Sequence, residues 1–555
     1  MAADQGVLAW LEEPSTTQGV HFAGSKDEWQ FHSYAELAAR IRAAAGRLHE
    51  RGIRQDQAVG IALPSSPDFV AAFFGCLYLG AVPVPVAVPA LFADREAYFT
   101  QLQALVRAAA AQLVVGDRDV HDVAGRAALD VTVVDLGARD DVGADAPARR
   151  VDREPYFVQF TSGSSGAPKG IVLTESNVVA NLAAVRRRLR ITPDDVGATW
   201  LPPNHDMGLI GCVLMPAMQQ STVWSMTPQQ FVRSPVRFLR CFDRGARIAA
   251  MPPFGLDLIA RRLRPDAVAS LDLSGWRVVI LGAEPIRRDV LDRAAAALAP
   301  AGFRPEALVP AYGLAEGTVA VTLSDALERP TYAVRADGRG GGQHEVVACG
   351  RPLDNVTLAI VDRSGDPVPA DVVGEIVVEG PSVPRFRWID GTLVELEMTV
   401  LRTGDAGFVQ DGKLFILGRM GDGLSVHGRM IFAEELERSL IDDLGVPGER
   451  LVCVAGVVDG ESVVIVVLDA DVDDIAHELV GITRAHVGPG VTIRLVRAPR
   501  RRIPRTSSGK VRRRPLWELL TGEQAPTWTT VAVNPLPVDP PPEGQGRDRR
   551  SHSRR

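Results

Sequence analysis

Predicted helices alternate with predicted strands through most of the chain, and this alternation constrains the fold more than any other feature. An amphipathic helix rich in Ala, Leu and Arg runs from Tyr34 to Gly52 and precedes the apolar strand AVGIAL, and helix 68–79 precedes AVPVPV. The same order recurs at 98–111 with QLVVGD, at 122–129 with VTVVDL, and at 288–299 with ALVPAYG. Such alternation predicts an α/β protein with largely parallel sheets.

The pattern changes towards the C-terminus, and the changes predict the domain organisation of the 555 residues. Residues 345–420 hold short strand-like runs between Gly, Asp and Pro turns, which indicate a more antiparallel β subdomain at the end of a core spanning 1–420. After a junction at 421–422, two helices and three strands predict a small α+β domain at 423–522. Segment 523–555 is rich in Pro, Gly, Ser and Arg and predicts a disordered tail.

Charge, cysteine content and hydropathy disfavour several classes of protein. The net charge of −7 argues against a general nucleic-acid binder. The five cysteines include no CxxC pair, so neither a disulfide framework nor a structural zinc site is indicated. The N-terminus does not match a signal peptide. The uncharged segment 70–93 has the length of a membrane span, but Pro83, Pro85 and Pro89 favour a buried helix and strand. We therefore expect a cytoplasmic protein without a transmembrane segment.

A loop of Gly, Ser and Thr carries the strongest chemical signal. It lies in YFVQFTSGSSGAPKG, between one predicted strand and the next, so a flexible linker is disfavoured. Glycine lets successive N–H groups turn towards one anion, and hydroxyls and a lysine add donors for phosphate oxygens. It is not the GxxxxGKS/T phosphate loop, because Gly170 follows Lys169. The candidate phosphate-binding residues are Thr161, Ser162, Gly163, Ser164, Ser165, Gly166 and Lys169.

Lysine is rare in this chain, which draws attention to Lys510. Of 61 basic residues only Lys26, Lys169, Lys413 and Lys510 are lysines. Lys510 lies in PRTSSGKVRR, among arginines, and this pattern indicates a need for a compact ammonium that a planar guanidinium cannot replace. Taken alone, the segment is more typical of a solvated basic loop than of a catalytic one.

Further motifs follow in order along the chain. Together with the loop, the series resembles the adenylate-forming superfamily of acyl-CoA synthetases, nonribosomal adenylation domains and luciferases, over nearly the whole length. The forms PPNHDMGLIG, GAEP and FRPEALVPAYGLAE are most similar to the fatty acyl-AMP ligases. The motifs are WLPPNHDMGLIG (200–211), WRVVILGAEPI (276–286), AGFRPEALVPAYGLAEGT (301–318), CGRPL (349–353), LRTGDAGF (401–408), LGRMGD (417–422) and PRTSSGKVRR (504–513).

The resemblance implies a ligase that uses ATP and Mg²⁺ to convert a fatty acid into its acyl-adenylate with release of pyrophosphate. It further implies acyl transfer to the phosphopantetheine thiol of an acyl carrier protein. The alternatives are an acyl-CoA ligase, an amino-acid or aryl-acid adenylating enzyme, and a non-catalytic protein that keeps the fold. The segment 324–344, which in the fatty acyl-AMP ligases disfavours coenzyme A, is here short and rich in Gly, so the acceptor stays open.

The resemblance also implies roles for residues around the nucleotide. By these roles Tyr312 stacks on adenine, Glu316 and Thr161 hold Mg²⁺ against the phosphates, Asp405 binds the ribose hydroxyls, and Arg419 contacts ribose or phosphate. A carboxylate with two acceptor oxygens suits a vicinal diol. The nucleotide-binding candidates from these motifs are Gly282, Ala283, Glu284, Pro285, Ala311, Tyr312, Gly313, Leu314, Asp405 and Arg419.

The remaining implied roles concern catalysis and domain movement. Lys510 is the catalytic lysine, His205 borders the substrate carboxylate, and Asp422 belongs to the hinge of the small domain. Asp206 is either a structural turn residue or a counter-ion for an amine. The apolar residues after it are typical of an acyl pocket and equally of plain core: Met207, Leu209, Ile210, Val213 and Met215.

The chain departs from the family pattern beyond the nucleotide motifs. PRFRWIDG stands where a Gly-Tyr-Trp run is usual, and Met430 stands where Asn is common.

Overall fold

The computed structural model divides the chain into two compact units. The described residues of the first fall within 1–336, 343–421 and 504–515, and those of the second within 422–503 and 516–534. The sequence predicts a small domain at 423–522, which includes 504–515. This short, strongly basic segment has no apolar periodicity that would have indicated its packing with the first unit. The structure describes residues 6–534 apart from 26, 89–94, 127–130, 136–155, 163–167, 337–342, 398–399, 427–428, 445–449, 459, 470–474, 489, 500–501, 506–510 and 523–527.

Helices begin and end where the sequence supplies caps. At the start of α1, Ser33 and Glu36 form a reciprocal capping box, and at the end of α2, Gly80 takes the left-handed conformation with φ 71°. The helices are α1 (Tyr34–Glu50), α2 (Pro67–Leu79), α3 (Arg95–Ala109), α4 (Arg118–Arg126), α5 (Glu175–Leu189), α6 (Met215–Gln219), α7 (Pro228–Arg233), α8 (Pro235–Asp243), α9 (Pro253–Arg262), α10 (Pro265–Ala269), α11 (Arg288–Leu298), α12 (Ala433–Leu444), α13 (Ala476–Val487) and α14 (Arg513–Thr521).

Strands alternate with these helices in the first part of the chain and follow one another in the later part. They are β1 (Gly19–Ala23), β2 (Trp29–Ser33), β3 (Ala58–Ala62), β4 (Val82–Pro85), β5 (Leu113–Gly116), β6 (Thr132–Val134), β7 (Tyr156–Ser162), β8 (Pro168–Thr174), β9 (Gly197–Thr199), β10 (Val223–Ser225), β11 (Ile248–Met251), β12 (Val278–Leu281), β13 (Leu308–Tyr312), β14 (Thr322–Leu323), β15 (Tyr332–Ala336), β16 (Gln343–Val347), β17 (Arg351–Pro352), β18 (Thr357–Val361), β19 (Gly374–Glu379), β20 (Phe386–Ile389), β21 (Thr392–Glu395), β22 (Val400–Gln410), β23 (Lys413–Arg419), β24 (Gly423–Val426), β25 (Arg429–Phe432), β26 (Leu451–Val458), β27 (Glu461–Leu468), β28 (Val491–Arg497) and β29 (Thr529–Asn534).

A nine-stranded sheet forms the centre of the first unit, in the order β17-β14-β13-β12-β11-β9-β10-β1-β2. Neighbours from β13 across to β1 pair in parallel, and helices connect them. A second sheet, β4-β3-β5-β6, is also parallel. The predicted α/β fold is thereby confirmed.

Antiparallel sheets complete the first unit. β18, β19, β22 and β23 form one of them, within the segment 345–420 for which the sequence indicates antiparallel structure. β20 and β21 come from the same segment but pair with β8 and β7 in a different sheet. The sequence alone did not show that these strands join two different sheets, because apolar and polar residues alternate in the same way in all of them. β15 and β16 form a hairpin in the stretch 324–347.

The uncharged segment 70–93 is buried where the structure describes it. It forms most of α2, whose Phe69 and Phe73 are in the core, and then the fully buried strand β4. This agrees with the predicted buried helix and strand. No helix among the described residues is long and apolar enough to cross a membrane.

The second unit is an α+β module. Its sheet has the order β26-β27-β28-β29, and α12 and α13 share a hydrophobic core with it. β29 corrects one prediction, because Thr529–Asn534 falls inside the segment 523–555 that was assigned to a disordered tail. Its run TTVAVN is rich in β-branched residues and pairs antiparallel with β28, so local strand propensity outweighs the polar composition around it. Residues 535–555 of the predicted tail lie outside the described residues.

Candidate active site

The two strands on either side of the loop of Gly and Ser pair antiparallel with each other. β7 and β8 pair as far as Ser162 opposite Pro168, in agreement with the strands that the sequence predicts on either side. Thr161 and Lys169 are direct cross-strand partners, so they share one face of the sheet. Thr161 is half-buried and Lys169 is exposed. Gly163, Ser164, Ser165, Gly166 and the side chain of Ser162 lie outside the described residues.

Three motif-bearing loops and the start of α9 follow neighbouring parallel strands of the large sheet. His205 lies in the loop after β9, Phe254 follows β11, Glu284 follows β12, and Glu316 follows β13. Because the carboxyl ends of parallel strands meet at one edge of a sheet, these loops share one edge. Ligands of open α/β sheets bind at that edge. The topology therefore brings together motifs that are more than one hundred residues apart in sequence.

Tyr312, Asp405 and Arg419 form a directly bonded cluster. The Tyr312 hydroxyl donates to Asp405 Oδ2 at 2.6 Å, and Arg419 Nε lies 2.8 Å from Asp405 Oδ1. Asp405 and Arg419 meet because they are cross-strand partners on β22 and β23. Asp405 is buried, and its backbone N–H donates to Thr403 Oγ1 at 3.1 Å. Thr403 was missed by the sequence analysis, although its place two residues before Asp405 in RTGD was a usable signal.

The tyrosine of this cluster stays protonated at neutral pH. Burial, reinforced by the negative charge of Asp405, holds the pKa of Tyr312 well above its usual value. The hydroxyl is therefore a fixed hydrogen-bond donor to the Asp405 carboxylate. Both residues keep their orientation before any ligand arrives, which suits recognition of a polar group such as a ribose diol.

Glu316 lies in a tight turn that begins three residues after Tyr312. Ala315–Gly317 form a single 3₁₀ turn, and the carboxylate-bearing residue is half-buried. Thr318 follows with φ 73°, a left-handed conformation that is strained for a β-branched residue. Its hydroxyl donates to the carbonyl oxygen of Ser382 at 2.6 Å, which compensates by anchoring the turn. Neither Thr318 nor Ser382 was singled out from the sequence.

Replacing Gly313 with alanine is expected to destabilise this turn. A Cβ at position 313 would lie 1.8 Å from the carbonyl oxygen of Val319, and backbone cannot move aside cheaply. We expect a loss of about 1–3 kcal/mol in the free energy of unfolding, the usual cost of overpacking. Thermal melting measures it. Gly275→Ala is the matched control, because no atom lies within 4 Å of a Cβ there. Equal melting temperatures for the two variants would contradict the assigned close approach.

The GAEP turn after β12 contributes a second left-handed residue. Ala283 has φ 68°, and a Cβ on Gly282 would lie 3.3 Å from the carbonyl oxygen of Ala311. The neighbouring Glu284 carboxylate accepts from the Phe254 N–H at 3.4 Å, which links the loops after β12 and β11. Among the other nucleotide-binding candidates here, Pro285 is exposed, and Ala311 and Leu314 are half-buried.

His205 and Asp206 are in direct contact. His205 Nδ1 lies 2.6 Å from Asp206 Oδ1, and the same carboxylate oxygen accepts from the Met207 N–H at 2.7 Å. Asp206 thus both orients the imidazole and caps the helical segment that follows. These contacts favour a structural role for Asp206, the first of the two alternatives left open by the sequence.

The apolar run after Asp206 forms a π-helix, Met207–Leu214, which was not predicted from the sequence. A π-helix is rare and concentrates at functional sites. It is continued by α6, where Pro216 has no N–H to donate and its ring would crowd an α-helical carbonyl. Leu209 and Ile210 are in the core, while Met207 and Val213 are half-buried.

Two candidates concern the second unit or lie beyond the described residues. Lys510 is outside the described residues, so its assigned role stays a prediction. Asp422 ends a short 3₁₀ turn, Met420–Asp422, and the boundary between the two compact units falls between Gly421 and Asp422. The hinge role of Asp422 also stays a prediction.

The donor set near the nucleotide motifs fits magnesium bound together with phosphate. Mg²⁺ usually takes one or two carboxylates, water and substrate phosphate oxygens rather than an all-protein cage. The structure offers the Glu316 carboxylate and the Thr161 hydroxyl. In the described part of the chain, no group of three or more His, Cys, Asp or Glu side chains could hold a metal ion by itself. Magnesium bound here would therefore depend on phosphate oxygens from the substrate.

These features define a class of protein. The chain belongs to the AMP-binding enzyme family, whose match covers residues 11–386. It is an adenylate-forming ligase, and enzymes of this family use ATP. The resemblance seen in the sequence motifs is thereby confirmed.

Particular relatives cover nearly the whole chain. A protein of Caulobacter vibrioides that carries the name acyl-CoA synthetase is 32% identical over 92% of this chain and 96% of its own length. The medium-chain-fatty-acid acyl-carrier-protein ligase JamA of Moorena producens is 29% identical over 87% of this chain and 88% of its own. A solved structure from studies of fatty acyl-adenylate ligases of E. coli and L. pneumophila is similar with a TM-score of 0.84 at 27% identity, covering 94% of this chain and 99% of that one.

Proposed function

We propose that this protein activates a fatty acid by adenylation. One carboxylate oxygen of the acid attacks the α-phosphorus of ATP, the bond from that phosphorus to the oxygen bridging it to the β-phosphate breaks, and pyrophosphate leaves. The product is an acyl-adenylate. The observation that carries the proposal is the Tyr312–Asp405–Arg419 cluster, in which Tyr312 and Asp405 are buried, beside the turn of Glu316. A preorganised carboxylate with a fixed tyrosine suits the nucleoside of ATP.

Positioning and electrostatics carry this reaction. Both reactants are anions, so the site must bring them together and neutralise charge as it develops. Lys169 and Thr161 at the hairpin tip are assigned to the phosphates, together with the loop between them. Glu316 and Thr161 are assigned to magnesium, which would screen the phosphate charge. His205, held by Asp206 at 2.6 Å, is assigned to the carboxylate of the acid.

The acyl acceptor is proposed to be the phosphopantetheine thiol of an acyl carrier protein. The thiol sulfur attacks the acyl carbonyl carbon, a C–S bond forms, the bond from the acyl carbon to AMP breaks, and the thiol proton passes to water. Support comes from the likeness to JamA, whose name specifies a carrier protein, and from the likeness to fatty acyl-adenylate ligases. The relative named acyl-CoA synthetase supports coenzyme A as the second candidate acceptor.

A product assay separates these acceptors. The protein is incubated with ATP, magnesium and a panel of fatty, aryl and amino acids, first without acceptor, then with phosphopantetheinylated carrier protein or with coenzyme A. We expect acyl-adenylates of fatty acids, detected by mass spectrometry, and faster loading of the carrier than of coenzyme A. The carrier protein without its phosphopantetheine arm is the control.

Two outcomes would contradict the proposal in different ways. Turnover of acyl-CoA at rates comparable to carrier loading would assign the protein to the acyl-CoA ligases and leave adenylation intact. ATP–pyrophosphate exchange that depends on amino acids, and not on fatty acids, would overturn the substrate class.

A further inference from the structure

Arg387 occupies an unusual place on the sheet that carries the phosphate-binding hairpin. β20 pairs antiparallel with β8, and Arg387 lies opposite Ile171, which in turn lies opposite Gln159 on β7. Side chains in one cross-strand row share a face, and so do residues two apart along a strand. Arg387 therefore shares its face with Gln159, Thr161 and Lys169. The row of Arg387, Ile171 and Gln159 lies two residues, about 6.6 Å, from the row of Thr161 and Lys169 along the strands, on the side away from the loop.

The opposite face of this sheet serves a different purpose. Val158, Val172 and Trp388 belong to a hydrophobic cluster on that side, and the Trp388 indole donates to the carbonyl oxygen of Ala109 on α3. Trp388 is thus fixed by packing. This fixes the strand itself and directs the side chain of its neighbour, Arg387, to the face of the phosphate-binding residues.

Two polar atoms on this face are buried without partners. Arg387 Nη1 and Gln159 Oε1 are inaccessible to solvent, and neither has a hydrogen-bond partner among the residues that the structure describes. Gln159 is 4% exposed. A buried guanidinium nitrogen without a hydrogen-bond acceptor costs free energy. A ligand or an ordered water would supply the missing acceptor. The guanidinium fork matches a phosphate group with two parallel hydrogen bonds.

The chain leading to Arg387 also runs past the Glu316 turn. Ser382, five residues earlier, accepts the hydrogen bond from the Thr318 hydroxyl, and Pro381 accepts one from the Asn177 side chain at 2.8 Å. The segment 381–387 therefore connects the turn assigned to magnesium with the sheet of the phosphate hairpin.

We propose that Arg387 binds the β- and γ-phosphoryl groups of ATP, and hence the pyrophosphate product. The proposal rests on the proposed adenylation and deepens it by adding a phosphate-binding residue. Arg387 belongs to PRFRWIDG, where the chain departs from the pattern of the fatty acyl-AMP ligases, so this contact is a property of this chain's own sequence.

The test is a comparison of two ligands by isothermal titration calorimetry on the whole chain. Pyrophosphate with magnesium probes the proposed contact, and AMP probes the nucleoside half of the site. For Arg387→Gln we expect pyrophosphate to bind about tenfold more weakly, the loss of one charge-assisted contact, while the affinity for AMP stays within about twofold. Arg387→Lys keeps the positive charge without the guanidinium fork. We expect its affinity for pyrophosphate to lie between those of the unaltered protein and Arg387→Gln.

Arg385→Gln is the matched control. Arg385 lies two residues away but is exposed, and it pairs with Glu395 on the surface at 3.1 Å, so its loss should change neither affinity. If Arg387→Gln weakened the binding of pyrophosphate and of AMP equally, its role would be structural and the proposal would be overturned. The proposal would also be overturned if Arg387→Gln bound pyrophosphate as tightly as the unaltered protein, or if the unaltered protein did not bind pyrophosphate. Should Arg387→Gln not fold, Arg387→Lys carries the comparison. Because no acid substrate is present, failure of fatty acid adenylation would not affect this result.

Discussion

Lys510→Ala is expected to lower the rate of adenylate formation by about 100- to 1,000-fold, the usual effect of removing one group that stabilises developing charge. The role proposed for Lys510, from its resemblance to the family, is to approach the carboxylate and the α-phosphate during the reaction. ATP binding should stay mostly intact, since the nucleoside and terminal phosphates are assigned to other residues. ATP–pyrophosphate exchange measures the rate, and calorimetry measures binding.

Two further variants sharpen this test. Lys510→Arg keeps a positive charge but replaces a compact ammonium with a planar fork, so we expect it to remain strongly impaired. Lys413→Ala is the matched control, because Lys413 is half-buried and, within the described residues, its ammonium donates to the Thr331 hydroxyl at 3.3 Å. An exchange rate for Lys510→Ala close to that of Lys413→Ala would remove Lys510 from the mechanism.

The larger part of the fold could be predicted because it follows from local patterns. The predicted helix from Tyr34 and the strand AVGIAL appear as α1 and β3, and the helix at 288–299 and the strand ALVPAYG appear as α11 and β13. Each is a periodic apolar run bounded by a cap or a glycine. Such runs fix the element before any tertiary contact forms.

The features that were missed depend on contacts between distant segments. β29 is a short strand inside a polar, proline-rich segment, and its partner β28 ends thirty-two residues earlier. The π-helix at Met207–Leu214 has the composition of an α-helix and differs by its hydrogen bonds. The separate destinations of β19 and β20 follow from pairing alone. Periodicity carries no information about any of these choices.

The candidate site shows the same division. Motif resemblance named Tyr312, Asp405 and Arg419, but their bonding could not be read from a sequence in which Tyr312 and Asp405 are 93 residues apart. Arg387 was noticed only as part of a departure from a pattern. Its interest arises from the register of β20 against β8, which places it on the face of Thr161 and Lys169.

Asp405→Asn is expected to weaken the binding of ATP and AMP by about 10- to 100-fold. Asparagine keeps the shape of the side chain but loses the charge and one of the two acceptor oxygens. It can therefore no longer satisfy Tyr312, Arg419 and a ribose diol together. The same loss should lower the free energy of unfolding by about 1–3 kcal/mol, because hydrogen bonds to a buried charged group are replaced by neutral ones. Calorimetry and chemical denaturation measure the two effects.

Asp411→Asn is the matched control for this prediction. Asp411 lies in the turn between β22 and β23, is exposed, and has φ 52°, a conformation that asparagine also tolerates. The nucleotide affinity and the free energy of unfolding of Asp411→Asn should therefore match those of the unaltered protein. If the Asp405 carboxylate were purely structural, Asp405→Asn would lower stability while leaving nucleotide affinity unchanged. If Asp405→Asn weakened the binding of AMP and of ATP by the same factor, Asp405 would act at the nucleoside. It would then act away from the terminal phosphates, which are assigned to Arg387.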